Sequence, residues 1–273
     1  APGSTANLSG WLSPKCLGGL HRNNHKLLKQ KILVKIMQQN KTIHTSRTIM
    51  FSELSQVMNH GIEGGNFNEI LNSNVSNKLS NRNLLKTNQY LKQLYGFDKK
   101  DLLFRCFKHY WTLVDNEKKS ILALLFALSN DFLLRESIDL VVNTKVGERV
   151  AIEKFDDNIE KYHQGKYSVN TRRSAAQNVA SSWKQAGYVQ GKVKNIRVQP
   201  NHDYCTVAFA LLLSYLQGDR GEYILLSKWI KALALNSDEL RDLIKEAAKR
   251  DLLQYQYGGN VTVISFENQL KTI

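Results

Sequence analysis

The sequence predicts a mainly α protein assembled from helix-turn-helix and winged-helix units with short β-hairpins. Three observations carry that expectation. Only three prolines (Pro2, Pro14 and Pro200) interrupt 273 residues, and proline is the residue a helix interior tolerates least. Apolar side chains recur at three- and four-residue spacing over long stretches, which lays them along one face of a helix. Finally, short β-type runs around residues 188–199 and 254–266 each follow a helical stretch, the order of a helix with a hairpin wing.

The elements follow in chain order. Residues 1–22 are expected to be a flexible tail or a non-native leader, because the opening Ala-Pro-Gly-Ser-Thr lacks an initiating Met and leads into no secretion signal. A basic helix is expected over residues 26–37, where Leu27, Ile32, Val34 and Ile36 mix with lysines without a clean stripe. Residues 67–71 read as a short helix and 72–74 as a turn. Ser80 then caps a longer helix that reaches Tyr95 and stops at Gly96. These elements form an amino-terminal basic helical and helix-turn-helix domain over residues 23–100.

Apolar density peaks between residues 101 and 142. There Ile121, Leu124, Leu125, Leu128 and Phe132 keep to one helical face, which predicts a buried central helix. The pattern breaks at 143–148 and resumes with Ile152, Phe155, Ile159 and Tyr162 as far as Gly165. Residues 101–165 therefore read as central connecting helices.

Residues 166–273 read as a tandem winged-helix-like region. In its first unit Asn170 is expected to cap a helix over 171–186 that ends at Gly187. Runs 188–193 and 196–199 would then pair as a hairpin around Lys194 and Asn195, closed by Pro200. The second unit has an apolar run at 207–216, a turn at 218–221, a segment at 223–233, and a helix capped by Asn236 with Glu239 three residues on. A hairpin of 254–257 and 261–266 follows, joined at Gly258, Gly259 and Asn260.

Charge points to a polyanionic partner. Lys and Arg number 38 against 24 Asp and Glu, for a formal net charge of +14 and a pI near 9.6. Residues 21–50 hold seven basic side chains and no acidic ones; residues 161–200 hold eight, again with none. Those two windows account for the whole excess, so the positive field is local.

The second window contains the main candidate surface. On the helix expected from Thr171, Ala175, Val179, Trp183 and Ala186 share the packing side, while Arg173, Gln177, Ser181 and Lys184 share another. Arginine suits guanine and glutamine suits adenine in a major groove, and a helix of this length, about 24 Å, can lie across one. Arg172 beside this stripe, with Lys192, Lys194 and Arg197 on the hairpin, is expected to hold phosphates. On the earlier helix Arg82, Lys86 and Gln89 face outward as a smaller, secondary DNA-contact stripe, for which plain solvation is the simpler account. The last helix alternates Asp238, Glu239, Asp242 and Glu246 with Arg241, Lys245, Lys249 and Arg250, the mark of a self-paired surface. It is expected to pack or to meet protein, and not to read DNA.

Other chemistry is not signalled. Three widely spaced cysteines (Cys16, Cys106, Cys205) make neither a disulfide framework nor a zinc site and suit a reducing cytoplasm. His21 and His25 have metal-compatible spacing near Cys16, but nothing completes a ligand set. Asp115, Glu117 and Lys118 lack the strands of a nuclease site, and Gly61, Gly64 and Gly65 lack the Lys-Ser/Thr of a phosphate loop. The longest apolar run, 121–128, is far short of the roughly 20 residues that span a bilayer. No enzyme activity, cofactor, metal, small-molecule substrate or membrane partner is expected.

The order of elements resembles the BrxA family of BREX bacteriophage-exclusion systems. The similarity lies in Asn66-Phe67-Asn68-Glu69-Ile70-Leu71 before the helix over 80–94, and in Asn130-Asp131-Phe132-Leu133-Leu134 with the segment 138–142. It continues in Ser168-Val169-Asn170-Thr171-Arg172-Arg173 before a helix ending in Gln185-Ala186-Gly187-Tyr188. The resemblance implies a cytoplasmic, non-catalytic winged-helix protein that binds double-stranded DNA beside the methyltransferase and ATPase of such a system. The basic amino-terminal extension departs from it. Two other functions fit the same composition: a protein–protein adaptor among defence proteins, and an RNA-binding helical protein.

Overall fold

The computed structural model describes residues 41–191, 194–258 and 261–273. The expected tail over 1–22, the basic helix over 26–37, Cys16, His21 and His25, the hairpin residue Lys192 and the turn residues Gly259 and Asn260 lie outside the described residues. Within them the fold is mainly helical, with two two-stranded antiparallel sheets.

The amino-terminal part contains α1 (Phe51–Ile62), α2 (Phe67–Asn72), α3 (Asn81–Tyr95) and α4 (Leu102–Leu113). Asn66 caps α2 and Ser80 caps α3, each through its side chain, and Gly96 at φ 79° ends α3 as expected. Asn88 Nδ2 donates to Leu71 O (2.6 Å) and locks α3 against α2. The faces follow the spacing: Leu84, Leu91 and Tyr95 are buried, while Arg82, Lys86 and Gln89 are exposed.

Behind them lies α5 (Lys119–Asn130). It was expected to bury one stripe and continue to Phe132, but it is buried on every side from Ser120 to Ser129 and stops at Asp131. Asp131 turns its carboxylate onto the Leu134 N–H and so caps the next helix, α6 (Phe132–Glu136). Helix α7 (Ile138–Val142) follows. Ring contacts run from Phe67 through Phe104 and Phe107 to Phe126 and Phe209, with centroids 4.6 to 6.5 Å apart. They tie the amino-terminal helices to the carboxy-terminal half.

Next come α8 (Ile152–Tyr162), α9 (Val169–Gln185), β1 (Val189–Gln190) and β2 (Ile196–Arg197). Strands β1 and β2 pair antiparallel in the register Val189↔Arg197, Gln190↔Ile196. Residues 147–150 add a third strand-like edge to β2 through the Arg149↔Ile196 bridge and the bonds Val150 N→Asn195 O (2.7 Å) and Arg197 N→Glu148 O (2.9 Å). Residues 147–150 thus pair with this hairpin and α8 packs against α9, although the sequence pattern assigns both to the connecting region over 101–165.

The second unit repeats the plan with α10 (Tyr204–Gln217), a 3-10 turn (Gly221–Leu226), α11 (Lys228–Leu233), α12 (Ser237–Lys249), β3 (Gln254–Gly258) and β4 (Val261–Ser265). The short α13 (Glu267–Thr272) closes the chain. Asn236 and Glu239 form a full capping box on α12. One contiguous set of buried apolar side chains runs from Ile43 to Leu270. No helix among the described residues is long and apolar enough to cross a membrane.

Candidate nucleic-acid interface

Helix α9 follows α8 across a turn that contains Gly165 at φ 69°. Its cap is Ser168, whose hydroxyl accepts the Thr171 N–H, and not Asn170. The chain enters helical geometry two residues earlier than the pattern suggested, which leaves Asn170 exposed within the first turn. Ala175, Val179, Trp183 and Ala186 are buried as expected, and Trp183 Nε1 donates to Ser137 Oγ (2.7 Å).

The outward face carries Asn170, Arg173, Ser174 and Gln177, all exposed, with Ser181 half-buried behind them. Helix α9 has no acidic residue, and Arg173 has no ion-pair partner among the described residues. Lys194 is exposed on the hairpin connection. That connection depends on Gly191: its φ is 99°, and a Cβ there would come within 2.2 Å of the Lys194 carbonyl oxygen. Asn170 and Ser174 were missed by sequence reasoning, although both fall on the same face by helical spacing.

Three of the expected contact residues have partners within the protein. Arg172 donates Nε to Asp156 Oδ2 (3.0 Å) and Nη1 to Glu160 Oε2, both on α8. Hydrogen bonds to Glu160 and Asp156 raise its pKa further, and the side chain is a clamp between helices. Arg197 is 1% exposed. It donates Nε to Val141 O (3.1 Å), Nη1 to Val198 O and Nη2 to Gln199 Oε1 (3.0 Å), and lies over the Tyr188 ring. Alternation along β2 sends this side chain inward, and burial lowers its pKa. Lys184 turns back onto the hairpin, donating Nζ to Gly191 O (2.8 Å), so it supports the connection from below.

On α12 the pairs Lys245–Asp242 and Arg250–Glu246, each at 2.9 Å, bring opposite charges together, as the alternation predicted. Its first turn carries Asp238 and Glu239; α3 and α9 have no acid in theirs. Asp115 and Glu117 sit at a 3-10 turn (Asn116–Lys118), with Lys118 between Asp115 (3.5 Å) and Asp203 (3.9 Å).

Sequence reasoning also missed a buried polar cluster. His44 Nδ1 lies 2.8 Å from Asp131 Oδ2, and His44 Nε2 lies 2.9 Å from Ser182 Oγ. The residue types match an acyl-transfer triad, but all three side chains are fully buried. Ser182 Oγ is further engaged by the Ile49 N–H (3.0 Å) and by Asn178 O (2.8 Å). These bonds hold the serine within the core, and the cluster pins residues 42–51 to the back of α9. Asn178 Nδ2 donates to His44 O (2.8 Å), and Gln185 Oε1 accepts the Phe51 N–H (3.1 Å). Burial opposes ionisation of Asp131, but His44 and the Ile43 and Leu134 N–H groups outweigh it and hold the carboxyl below its ordinary range.

Burial pushes the Cys106 thiol up to about 12 and the Cys205 thiol to about 11, so both are inert core groups. Among the described residues no group of three or more His, Cys, Asp or Glu is placed to hold a metal ion.

Fold and site together define a class: a mainly helical protein of helix-turn-helix and winged-helix units with one acid-free, outward-facing second helix beside a hairpin. No family model, no curated protein and no solved structure matches the chain.

Proposed function

We propose that this protein is a non-catalytic, cytoplasmic binder of double-stranded DNA that docks α9 in the major groove. Arg173 and Gln177 face base edges, Asn170, Ser174 and Ser181 face the backbone, and Lys194 holds a flanking phosphate from the wing. The observation that carries the reading is the exposed face of α9, which combines an arginine with no ion-pair partner among the described residues with amides and hydroxyls and no carboxylate. Its resemblance to the BrxA family supports a role in bacteriophage exclusion, alongside other defence proteins. The test is a duplex titration at several salt concentrations with Arg173→Ala/Gln177→Ala and with Lys194→Ala. Affinity is expected to fall for both, and each lost phosphate contact should flatten the log–log salt slope by about 0.9. Unchanged affinity and slope would overturn the proposal. An RNA helix that outcompetes duplex DNA would redirect it to RNA.

A second reading applies to the carboxy-terminal unit. There Val261 and Val263 on β4, with Tyr223 and Leu226 on the adjacent 3-10 turn, are exposed apolar side chains, while α12 is self-paired. This unit suits protein contact, and a complex that survives nuclease treatment and is lost with Val261→Asp/Val263→Asp would support it.

A further inference from the structure

We propose that Arg149 is a second phosphate-binding residue of the wing, presented beside Lys194 on the outer face of the sheet by the edge strand over 147–150. This rests on the reading of α9 and its wing as a duplex contact. The first ground is placement. Residues directly opposed across antiparallel strands share one face of the sheet. Ile196 of β2 is opposed by Gln190 of β1 on one side and by Arg149 on the other, so these three side chains form one row. The neighbouring pair Val189↔Arg197 is buried, at 2% and 1% exposure, and that row faces the core. The row with Arg149 therefore faces outward: Gln190 and Arg149 are exposed and Ile196 is half-buried.

Along β2 the alternation continues through buried Asn195 to exposed Lys194, and the bond Val150 N→Asn195 O (2.7 Å) carries the ladder that far. Lys194 thus stands diagonally across from Arg149, with Cβ atoms about 7 Å apart. The strand that presents Arg149 is fixed at its start by a tight turn, in which Glu148 N donates to Lys145 O (3.0 Å) and Gly147 has φ 89°.

The second ground is chemical. Arg149 and Lys194 are both exposed, and neither has an ion-pair partner among the described residues. Alternation puts Glu148, which lies opposite Arg197, on the other side of the strand. A duplex carries one negative charge per about 1.7 Å of axis, so two cations at this spacing can each meet a phosphate of their own. Charge counting along the chain passes Arg149 over, because it lies upstream of the acid-free window and has Glu148 beside it.

The experiment is a duplex salt titration of Arg149→Ala, Arg149→Lys and Arg149→Ala/Lys194→Ala, with Lys249→Ala as an equal loss of charge at an exposed position on α12. Arg149→Ala is expected to flatten the log–log slope by about 0.9 and the double variant by about 1.8. Arg149→Lys keeps a point charge for the phosphate and should keep the wild-type slope, as should Lys249→Ala. Melting temperatures should match wild type, because each of these side chains is exposed. A wild-type slope in Arg149→Ala overturns the assignment, and so does a flattening that Arg149→Lys or Lys249→Ala shares. If Arg173→Ala/Gln177→Ala and Lys194→Ala still lose affinity in that case, the function proposed above stands without Arg149. If those two variants bind as wild type does, that reading falls and takes Arg149 with it.

Discussion

Arg172 and Arg173 are neighbours in sequence and opposite in role. A step of about 100° along the helix sends one toward Asp156 and Glu160 of α8 and the other into solvent. Arg172→Ala should therefore lower the melting temperature while leaving duplex affinity, measured well below the transition, near wild type; Arg173→Ala should do the reverse. A binding loss confined to Arg172→Ala would contradict this assignment. Ser182 offers a second test at the same scale. Its removal leaves the buried Ile49 N–H without an acceptor, so Ser182→Ala should cost about 1–3 kcal/mol in chemical denaturation. His202 sets a pH dependence: burial pushes its imidazole down to about 4, below the value near 6.5 of an unfolded chain. As pH falls below 6.5 the unfolded state takes up a proton that the folded state refuses, so stability is full above that point and declines toward pH 4. The decline attributable to this group is about 3 kcal/mol, and denaturation midpoints of His202→Phe across that window should be correspondingly flatter. The depressed Asp131 carboxyl adds acid sensitivity only at lower pH, since its contribution is lost as pH falls through the folded value.

Among elements, caps and periodicity were the legible features. Ser80 and Gly96 bound α3, the Asn236–Glu239 box starts α12, and the second hairpin pairs within a residue of the expected segments, because these signals are local; the first pairs over a shorter stretch, Val189–Gln190 with Ile196–Arg197. Long-range partnerships were not legible. Arg172 finds its carboxylates 12 and 16 residues back across a turn. Arg197 turns inward onto Val141 O, Gln199 and the Tyr188 ring, while residues 147–150, far upstream, form the other edge of β2; no spacing rule announces either partnership. The His44–Asp131–Ser182 cluster draws on three segments up to 138 residues apart, each polar residue unremarkable on its own. Of the expected contact set, Arg173 and Gln177 emerge on one face with Lys194 exposed on the hairpin beside α9, while the partners that Arg172, Lys184 and Arg197 find within the protein could only come from packing. Helix α9 and its hairpin also meet at one glycine. Gly191→Ala combines a left-handed backbone with a close carbonyl contact and should destabilise by about 1–3 kcal/mol; a proportionate loss of duplex affinity would show that the wing takes part in binding.

In the whole molecule, both winged units and the amino-terminal helices share one core. Unfolding should accordingly register as a single transition, with near-ultraviolet and far-ultraviolet signals coincident; two separated transitions would show that the units melt independently. The edge that residues 147–150 lend to β2 has a practical corollary for anyone dissecting the chain. A truncation that starts at the apparent boundary near 166 would strip the wing of its outer border, leave Trp183 without the Ser137 hydroxyl that receives its indole N–H, and remove both anchors of Arg172. Such a fragment would report on damage done by the cut and not on the autonomy of a domain, so deletion mapping of this protein calls for breakpoints upstream of Ser137.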